Sequence, residues 1–323
     1  MMSSAARYRG LMRRAAHALA VACLLAACGT AGSADNVAES PEGFRVVLGG
    51  SSGPSNATLW DDGRPIDYGN SSLTGLFIED DVVYAAGRTG LLNRAAVWTD
   101  HKSERVAGSG ATVLGLWVDD GRPHLVGTSG FTDRGTIWVG DERNTFGEAN
   151  ANATNVTVDG DDVYAAGTIG NAVEFAGLWK NGVWAALDQS EAKVNDLFVS
   201  DGKVYMVGGY GLAERAGLWV DGELTPIDDV GVVVNHLFVE DGVVYFAGWS
   251  GSQSVAAYWV DGERVDLEEN ALITDLFVRD GTVFVSGSYG LRGQAAYWVN
   301  GERVDIDDPN AEVHLIFVTA DPA

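Results

Sequence analysis

Residues Leu237 to Gly262 read LFVEDGVVYFAGWSGSQSVAAYWVDG, and close copies of this segment recur about every forty residues. Three markers can be followed through the copies: the middle residue of the Leu-Phe-Val triplet, the first glycine of a Gly-x-x-Gly pair, and a tryptophan. Each marker occurs seven times, at steps of 37 to 41 residues. A fixed period in this range is typical of one small structural unit stacked many times.

The three series run in phase through the chain. The triplet series is Phe77, Trp117, Thr157, Phe198, Phe238, Phe277 and Phe317. The glycine series is Gly50, Gly87, Gly127, Gly167, Gly208, Gly248 and Gly287. The tryptophan series is Trp60, Trp98, Trp138, Trp179, Trp219, Trp259 and Trp298.

Each unit is predicted to contain four short strands. The apolar Leu-Phe-Val run predicts a first strand with both faces covered. Asp241-Gly242 and Asp261-Gly262 are the residues of tight hairpins, joining strands one to two and three to four. The Gly-x-x-Gly pair is expected to open a longer loop between strands two and three. Each repeat tryptophan is expected on strand three, where it fills the wedge between neighbouring units.

The two ends of the chain complete one another. The first unit starts at Val46-Val47-Leu48 and lacks a Leu-Phe-Val segment, whereas the last has only that segment, within Val313 to Val318. A closed ring explains this division, because pairing of the first and last strands locks the circle. The predicted fold is therefore all-β, a seven-bladed β-propeller over residues 44–319, followed by a tail at 320–323.

The N-terminus is predicted to be a processing signal. Four arginines precede a short apolar run that ends Leu25-Ala26-Ala27-Cys28-Gly29, which resembles the lipobox of bacterial lipoproteins. The resemblance implies removal of residues 1–27 and lipid attachment at Cys28, with residues 28–43 as a flexible polar tether. In Gram-negative lipoproteins a glycine after the cysteine usually implies delivery to the outer membrane. The expected location is the cell envelope, with the membrane bound through the lipid.

Charge and cysteine content exclude several functional classes. The chain has a formal net charge of −24, and loss of the signal leaves 17 basic and 45 acidic residues. Nucleic acid is therefore not an expected partner. The two cysteines are Cys23, which leaves with the signal, and Cys28, so no disulfide or cysteine-ligated metal is predicted.

Two groups of residues are candidates for binding on the face that carries the longer loops. Tyr210, Trp249 and Tyr289 fall inside the glycine pairs of three successive units, where exposed aromatics would suit sugar rings or a peptide. The alternative is that they pack across the loops.

The second group lies two residues before the triplet marker, near the entry of the innermost strand. There Asp196, His236 and Asp275 occupy adjacent units and could bind a cation or act as acid and base. The alternative is a hydrogen-bonded polar ring around a wet channel. Common catalytic and dinucleotide motifs are missing from the sequence, so no cofactor, metal site or catalytic residue is predicted.

The repeat phrases resemble those of secreted bacterial proteins that carry Tyr-Trp-x-Asn-Gly and Asp-Val-Tyr-Val-Ala-Gly. The matching phrases lie at residues 216–222, 241–248 and 296–301. The resemblance covers residues 44 to 319 and implies a propeller-like domain, mostly of unknown function, with no catalytic residues to carry over.

These observations favour an envelope lipoprotein whose propeller is a binding or protein-interaction scaffold, with a protein or glycan partner on the long-loop face. The alternative hypothesis is an enzyme acting on a glycan or another envelope polymer at the channel mouth. A third hypothesis is a purely structural assembly platform, by analogy of fold alone.

Overall fold

The computed structural model describes residues 40–53, 56–92, 94–106, 110–129, 134–140, 142–146, 150–170, 174–227, 231–250 and 255–321. Cys28, the predicted signal at 1–27 and most of the predicted tether lie outside these residues. The described part is all-β.

The strands follow one another in seven groups along the chain. The first group is β1 (Phe44–Ser52), β2 (Asn56–Asp61) and β3 (Arg64–Glu79), followed by β4 (Val82–Thr89), β5 (Arg94–Thr99) and β6 (Lys102–Arg105). Next come β7 (Thr112–Asp119), β8 (Arg122–Ser129), β9 (Arg134–Val139) and β10 (Glu142–Thr145), then β11 (Ala151–Asp159), β12 (Asp162–Gly170), β13 (Glu174–Lys180) and β14 (Val183–Ala186). The following two groups are β15 (Lys193–Ser200), β16 (Lys203–Tyr210), β17 (Arg215–Val220) and β18 (Glu223–Pro226), and β19 (Val233–Glu240), β20 (Val243–Ser250), β21 (Val255–Val260) and β22 (Glu263–Asp266). The last strands are β23 (Leu272–Arg279), β24 (Thr282–Tyr289), β25 (Gln294–Val299), β26 (Glu302–Asp305) and β27 (Ala311–Ala320).

The predicted tight hairpins are confirmed. At the turn between β19 and β20, Asp241 and Gly242 have φ angles of 51° and 82°, the left-handed conformation that a two-residue hairpin requires. The acid of the second hairpin also has a bonding role: Asp261 Oδ1 accepts a hydrogen bond of 3.0 Å from the backbone N–H of Val244. Asp and Asn therefore suit these turns both for their backbone conformation and for their side-chain oxygen.

The strands pair antiparallel within each group. Among the described residues, five sheets have four strands and one has seven, in the order β27-β1-β2-β3-β4-β5-β6. Strand β3 accounts for the larger sheet, because its first half pairs with β2 (Leu59↔Ile66) and its second half pairs with β4 (Phe77↔Tyr84).

The predicted pairing of the first and last strands is present. Val46, Val47 and Leu48 of β1 lie opposite Val318, Phe317 and Ile316 of β27. The first strands of successive units also lie against one another, in the order β3, β7, β11, β15, β19, β23, β27 and back to β3. The architecture is thus propeller-like, with these strands innermost around a central channel.

The repeat tryptophans fill the spaces between units, as predicted. All seven lie on the third strand of their unit and are at most 3% exposed. Trp259 on β21, for example, packs in one cluster with Val207 and Ala216 of the preceding unit. Burying a large aromatic on each contact is a main source of cohesion between units.

The prediction that Gly-x-x-Gly opens a loop holds for the second glycine, which lies in a turn at Gly90, Gly211 and Gly290, and is wrong for the first glycine, which belongs to the second strand. Gly248 and Trp249 belong to strand β20, which continues to Ser250. A Cβ on Gly248 would lie 1.9 Å from the carbonyl oxygen of Val233 on the innermost strand. The first glycine of every pair meets the innermost strand in this way, at 1.9 to 2.0 Å. The series therefore marks a close approach of two strands.

Carboxylates also join neighbouring units. Glu240 at the end of β19 accepts hydrogen bonds from the backbone N–H groups of Asp280 and Gly281, at 3.0 and 2.7 Å. Asp159, at the end of β11, accepts an equivalent hydrogen bond of 2.9 Å from the backbone N–H of Gly202 in the next unit. Part of the acidity of the chain therefore connects units at their tight turns.

The two rims of this propeller-like arrangement differ. The tight-turn rim carries the hairpins between first and second and between third and fourth strands. The long-loop rim carries the connections between second and third strands and from one unit to the next. Strand β1 begins at the tight-turn rim, where the N–H of Val46 donates to Asp62 of a hairpin.

Candidate binding site at the channel mouth

A β-bulge shapes the innermost strand at each close-approach glycine. In β19 the bulge lies between Val234, which pairs with Gly248, and His236, which pairs with Ala247. Leu237 and Val239 are buried in the blade, whereas Asn235, His236 and Phe238 are partly exposed. The bulge therefore lets two successive residues face the channel instead of one.

An aromatic collar lies one step below these residues. It consists of the aromatic members of the triplet series, with neighbouring ring centroids between 4.5 and 6.4 Å apart. Thr157 is the one non-aromatic member, and Trp117 reaches past it to Phe198 at 6.4 Å. A shallow pocket lies above the collar, on the side of the long-loop rim.

This pocket is the candidate site. Its volume is about 520 Å³, within the range of about 300–1,000 Å³ of small-molecule sites. Its lining comes from five consecutive units and consists of Thr154, Val194, Asn195, Asn235, His236, Ile273, Thr274 and His314.

Asp196 lies beside the pocket, where its carboxylate connects two units. Its Oδ2 accepts the N–H of Leu237 in the next unit at 2.8 Å, and its Oδ1 accepts the N–H of Leu197 at 2.8 Å and the Asn155 amide at 3.0 Å. Burial raises the pKa of Asp196 to about 7. The three hydrogen-bond donors have the opposite, smaller effect, because they favour the charged carboxylate.

Asp275 repeats the arrangement one unit beyond His236. Its Oδ2 accepts the N–H of Ile316 and its Oδ1 that of Leu276, both at 2.9 Å. Burial raises the pKa of Asp275 to about 7, opposed by these N–H groups. Because both carboxylates bond to backbone groups, the geometry favours the predicted polar ring over an acid–base site.

His236 lies close to one of the two acids. Its Nδ1 is 3.6 Å from Oδ1 of Asp275. Burial lowers the pKa of His236 to about 4, so the imidazole is neutral at pH 7. Within the described residues no group of three or more His, Cys, Asp or Glu side chains could hold a metal ion.

The three candidate aromatics are partly buried, and two pack on their own units. The Tyr210 ring lies edge-on to Trp219 at 6.2 Å, and its atoms would be 3.1 Å from a Cβ on Gly217. Tyr289 packs against the guanidinium of Arg303, 3.8 Å from the ring centroid. Trp249 lies near the end of β20 and pairs with Val233 and Ala256. These contacts correspond to the packing alternative.

Exposed leucines on the long-loop rim went unnoticed in the sequence. Leu91, Leu212 and Leu291 are 92%, 94% and 96% exposed, in the turns between second and third strands of three different units. Each follows the second glycine of a Gly-x-x-Gly pair. That repeated Gly-Leu step is the signal from which they could have been found.

The bulge residues were missed as well. They stand three positions before the triplet marker and read Thr74, Leu114, Thr154, Asn195, Asn235, Thr274 and His314. Six of these seven are polar beside an otherwise apolar strand, and this could have identified them as channel residues. Only the bulge, however, explains why this position and the next face the same space.

Comparisons with known proteins identify the fold alone. No protein-family model and no curated protein matches the chain. The WD40 β-propeller domain of Doa1 is 15% identical with a TM-score of 0.53, over 87% of this chain and 88% of that one. The β-propeller domain of the trilobed protease from Pyrococcus furiosus, which has an open velcro topology, is 16% identical with a TM-score of 0.56, over 84% and 97%. Acylaminoacyl peptidase from Pyrococcus horikoshii is 17% identical with a TM-score of 0.56, over 83% of this chain and 51% of that one. The chain is therefore propeller-like in fold.

Proposed function

We propose that this chain is a cell-envelope lipoprotein whose propeller is a protein-interaction scaffold that binds its partner through the long-loop rim. The observation that carries the proposal is the exposure of Leu91, Leu212 and Leu291, each above 90%, at equivalent turns of three units. Leu92 and Leu272 add apolar surface on the same rim, at 72% and 52% exposure. Their units lie two or three apart around the propeller-like arrangement, so these leucines are spaced contact points that one protein covering the rim would meet together.

The scaffold is proposed to have seven blades closed into a ring. Support comes from β3, whose two halves pair with different strands and thereby belong to two four-stranded units. The pairing of β1 with β27 completes the first of these units. A closed ring with buried tryptophans at every contact gives the loops a rigid support, which reduces the entropy lost on binding.

The proposed lipid anchor would leave from the opposite rim. Phe44 begins β1 at the tight-turn rim, so a tether from Cys28 would reach the ring there. Fifteen residues span at most about 50 Å when fully extended. The long-loop rim would thus be free of the tether's attachment point and open to a partner. The described residues include no helix that is long and apolar enough to cross a bilayer.

Replacement of Cys28 by serine tests the anchor. Because serine cannot receive the lipid, we expect Cys28→Ser to lose incorporation of radiolabelled palmitate and to move from the membrane fraction to the soluble fraction. Replacement of Cys23 by serine, within the predicted signal, is the matched control and should leave both unchanged. Membrane retention and labelling of Cys28→Ser would contradict the anchor and leave the scaffold proposal standing.

Replacement of the three rim leucines tests the partner surface. We expect the triple variant Leu91→Ser, Leu212→Ser, Leu291→Ser of the full-length protein in cells to reduce cross-linking to its partner about tenfold or more. Val183→Ser is the control, since Val183 is 73% exposed on an outermost strand. Cross-linked proteins are quantified by mass spectrometry. An identical profile for the wild type and the triple variant would refute the proposal.

A further inference from the structure

The pocket at the channel mouth presents hydrogen-bonding groups that the fold does not use. Asn235 Oδ1 accepts from the Asn195 amide at 3.3 Å, but Asn235 Nδ2 has no partner in the part of the chain that the structure describes. His314 lies on the bulge of β27, and half of its side chain is exposed. Its Nε2 is 4.0 Å from Oε2 of Glu312. Both groups are available to a ligand in the pocket.

The lining chemistry favours an uncharged ligand. Its polar side chains are two threonines, two asparagines and two histidines, which can both donate and accept hydrogen bonds. The adjacent carboxylates of Asp196 and Asp275 accept two or three hydrogen bonds each, which leaves them poorly placed to bind a cation. The net charge of −24 opposes an anion.

The shape of the pocket and its apolar surface narrow the class of ligand further. The pocket is shallow and open, so a ligand reaches its lining from the long-loop rim. Val194, which is partly exposed, adds an apolar patch between the polar groups. A ligand with hydroxyl groups around its edge and C–H groups on its faces matches both features.

We infer that the channel mouth binds an uncharged saccharide, held by Asn235 and His314. This site is separate from the leucine surface of the proposed function. The saccharide hydroxyls would both donate and accept hydrogen bonds, and one of its C–H faces would lie on Val194.

Binding of the purified full-length chain, in detergent, to immobilised oligosaccharides tests this inference. The panel holds uncharged hexose oligomers, the same lengths with uronic acids, and amino-sugar oligomers. We expect the uncharged oligomers to bind, and the double variant Asn235→Ala, His314→Ala to weaken that binding roughly tenfold, because two hydrogen bonds are lost. His101→Ala is the matched control, because His101 lies in a tight turn on the opposite rim.

The remaining outcomes separate this inference from the proposed function. The single variant His314→Ala removes a half-exposed side chain and keeps the test valid if the double variant unfolds. Loss of cross-linking in the leucine variant with unchanged saccharide binding would support both sites. No binding of any oligosaccharide, a preference for the acidic ones, or equal binding by His314→Ala and wild type would overturn the saccharide site alone.

Discussion

Gly208→Ala is expected to lower the free energy of unfolding by about 3–5 kcal/mol, and the neighbouring Gly209→Ala by less than about 0.5 kcal/mol. A Cβ on Gly208 would lie 1.9 Å from the carbonyl oxygen of Lys193, and backbone atoms of a paired strand have little room to move. The nearest atom to a Cβ on Gly209 is 4.0 Å away, which is ordinary contact. Urea denaturation followed by tryptophan fluorescence measures both.

Each variant adds one methyl group to strand β16, and the two positions are adjacent. Strand propensity therefore cannot account for a difference between them. Neither glycine has a positive φ angle, so backbone strain does not enter. The close approach is the single variable. Equal denaturation midpoints for the two variants would show that the β15 and β16 strands are not so closely spaced.

Trp219→Ala is expected to lower the free energy of unfolding by about 3–5 kcal/mol, the range for removing a large aromatic side chain from a packed core. Trp219 is 0% exposed and packs with Tyr164, Ala166 and Ala176 of the preceding unit. Its indole Nε1–H also donates to Oε1 of Gln189 at 2.7 Å. The loss therefore combines a cavity between two units with an unpaired Gln189 oxygen.

The indole contribution can be separated with one further variant. Trp219→Phe keeps much of the apolar volume and loses the hydrogen bond, so it should cost less than Trp219→Ala. Val183→Ala, at a 73% exposed position on β14 of the preceding unit, should change the free energy of unfolding by less than about 0.5 kcal/mol. Calorimetric unfolding is the measurement. A Trp219→Ala variant as stable as Val183→Ala would mean that the tryptophans do not hold the units together.

Local patterns predicted the strands well because their causes are local. Asp241-Gly242 and Asp261-Gly262 form hairpins since their own backbones tolerate positive φ. Trp259 is buried on a third strand because its size requires burial wherever the strand lies. The period of the markers then repeats both properties in each unit.

Predictions for the site were weaker because they depended on packing. The position of Asp196, His236 and Asp275 near the channel could be read from the repeat, but not that Asp196 and Asp275 bond to backbone groups of the next unit. Tyr210 and Tyr289 were expected at an open loop and instead lie against their own units. A single sequence does not show which neighbour covers a side chain.

Local chemistry along the chain is enough to specify the repeating unit, its hairpins and its buried tryptophans, and the division of one unit between the two ends specifies the pairing of β1 with β27. The character of the channel mouth depends instead on how neighbouring strands pack. The close approach of Gly248 to Val233 accompanies a bulge that turns Asn235 and His236 to the same side. That arrangement arises between two paired strands, and no periodic pattern along one strand specifies it.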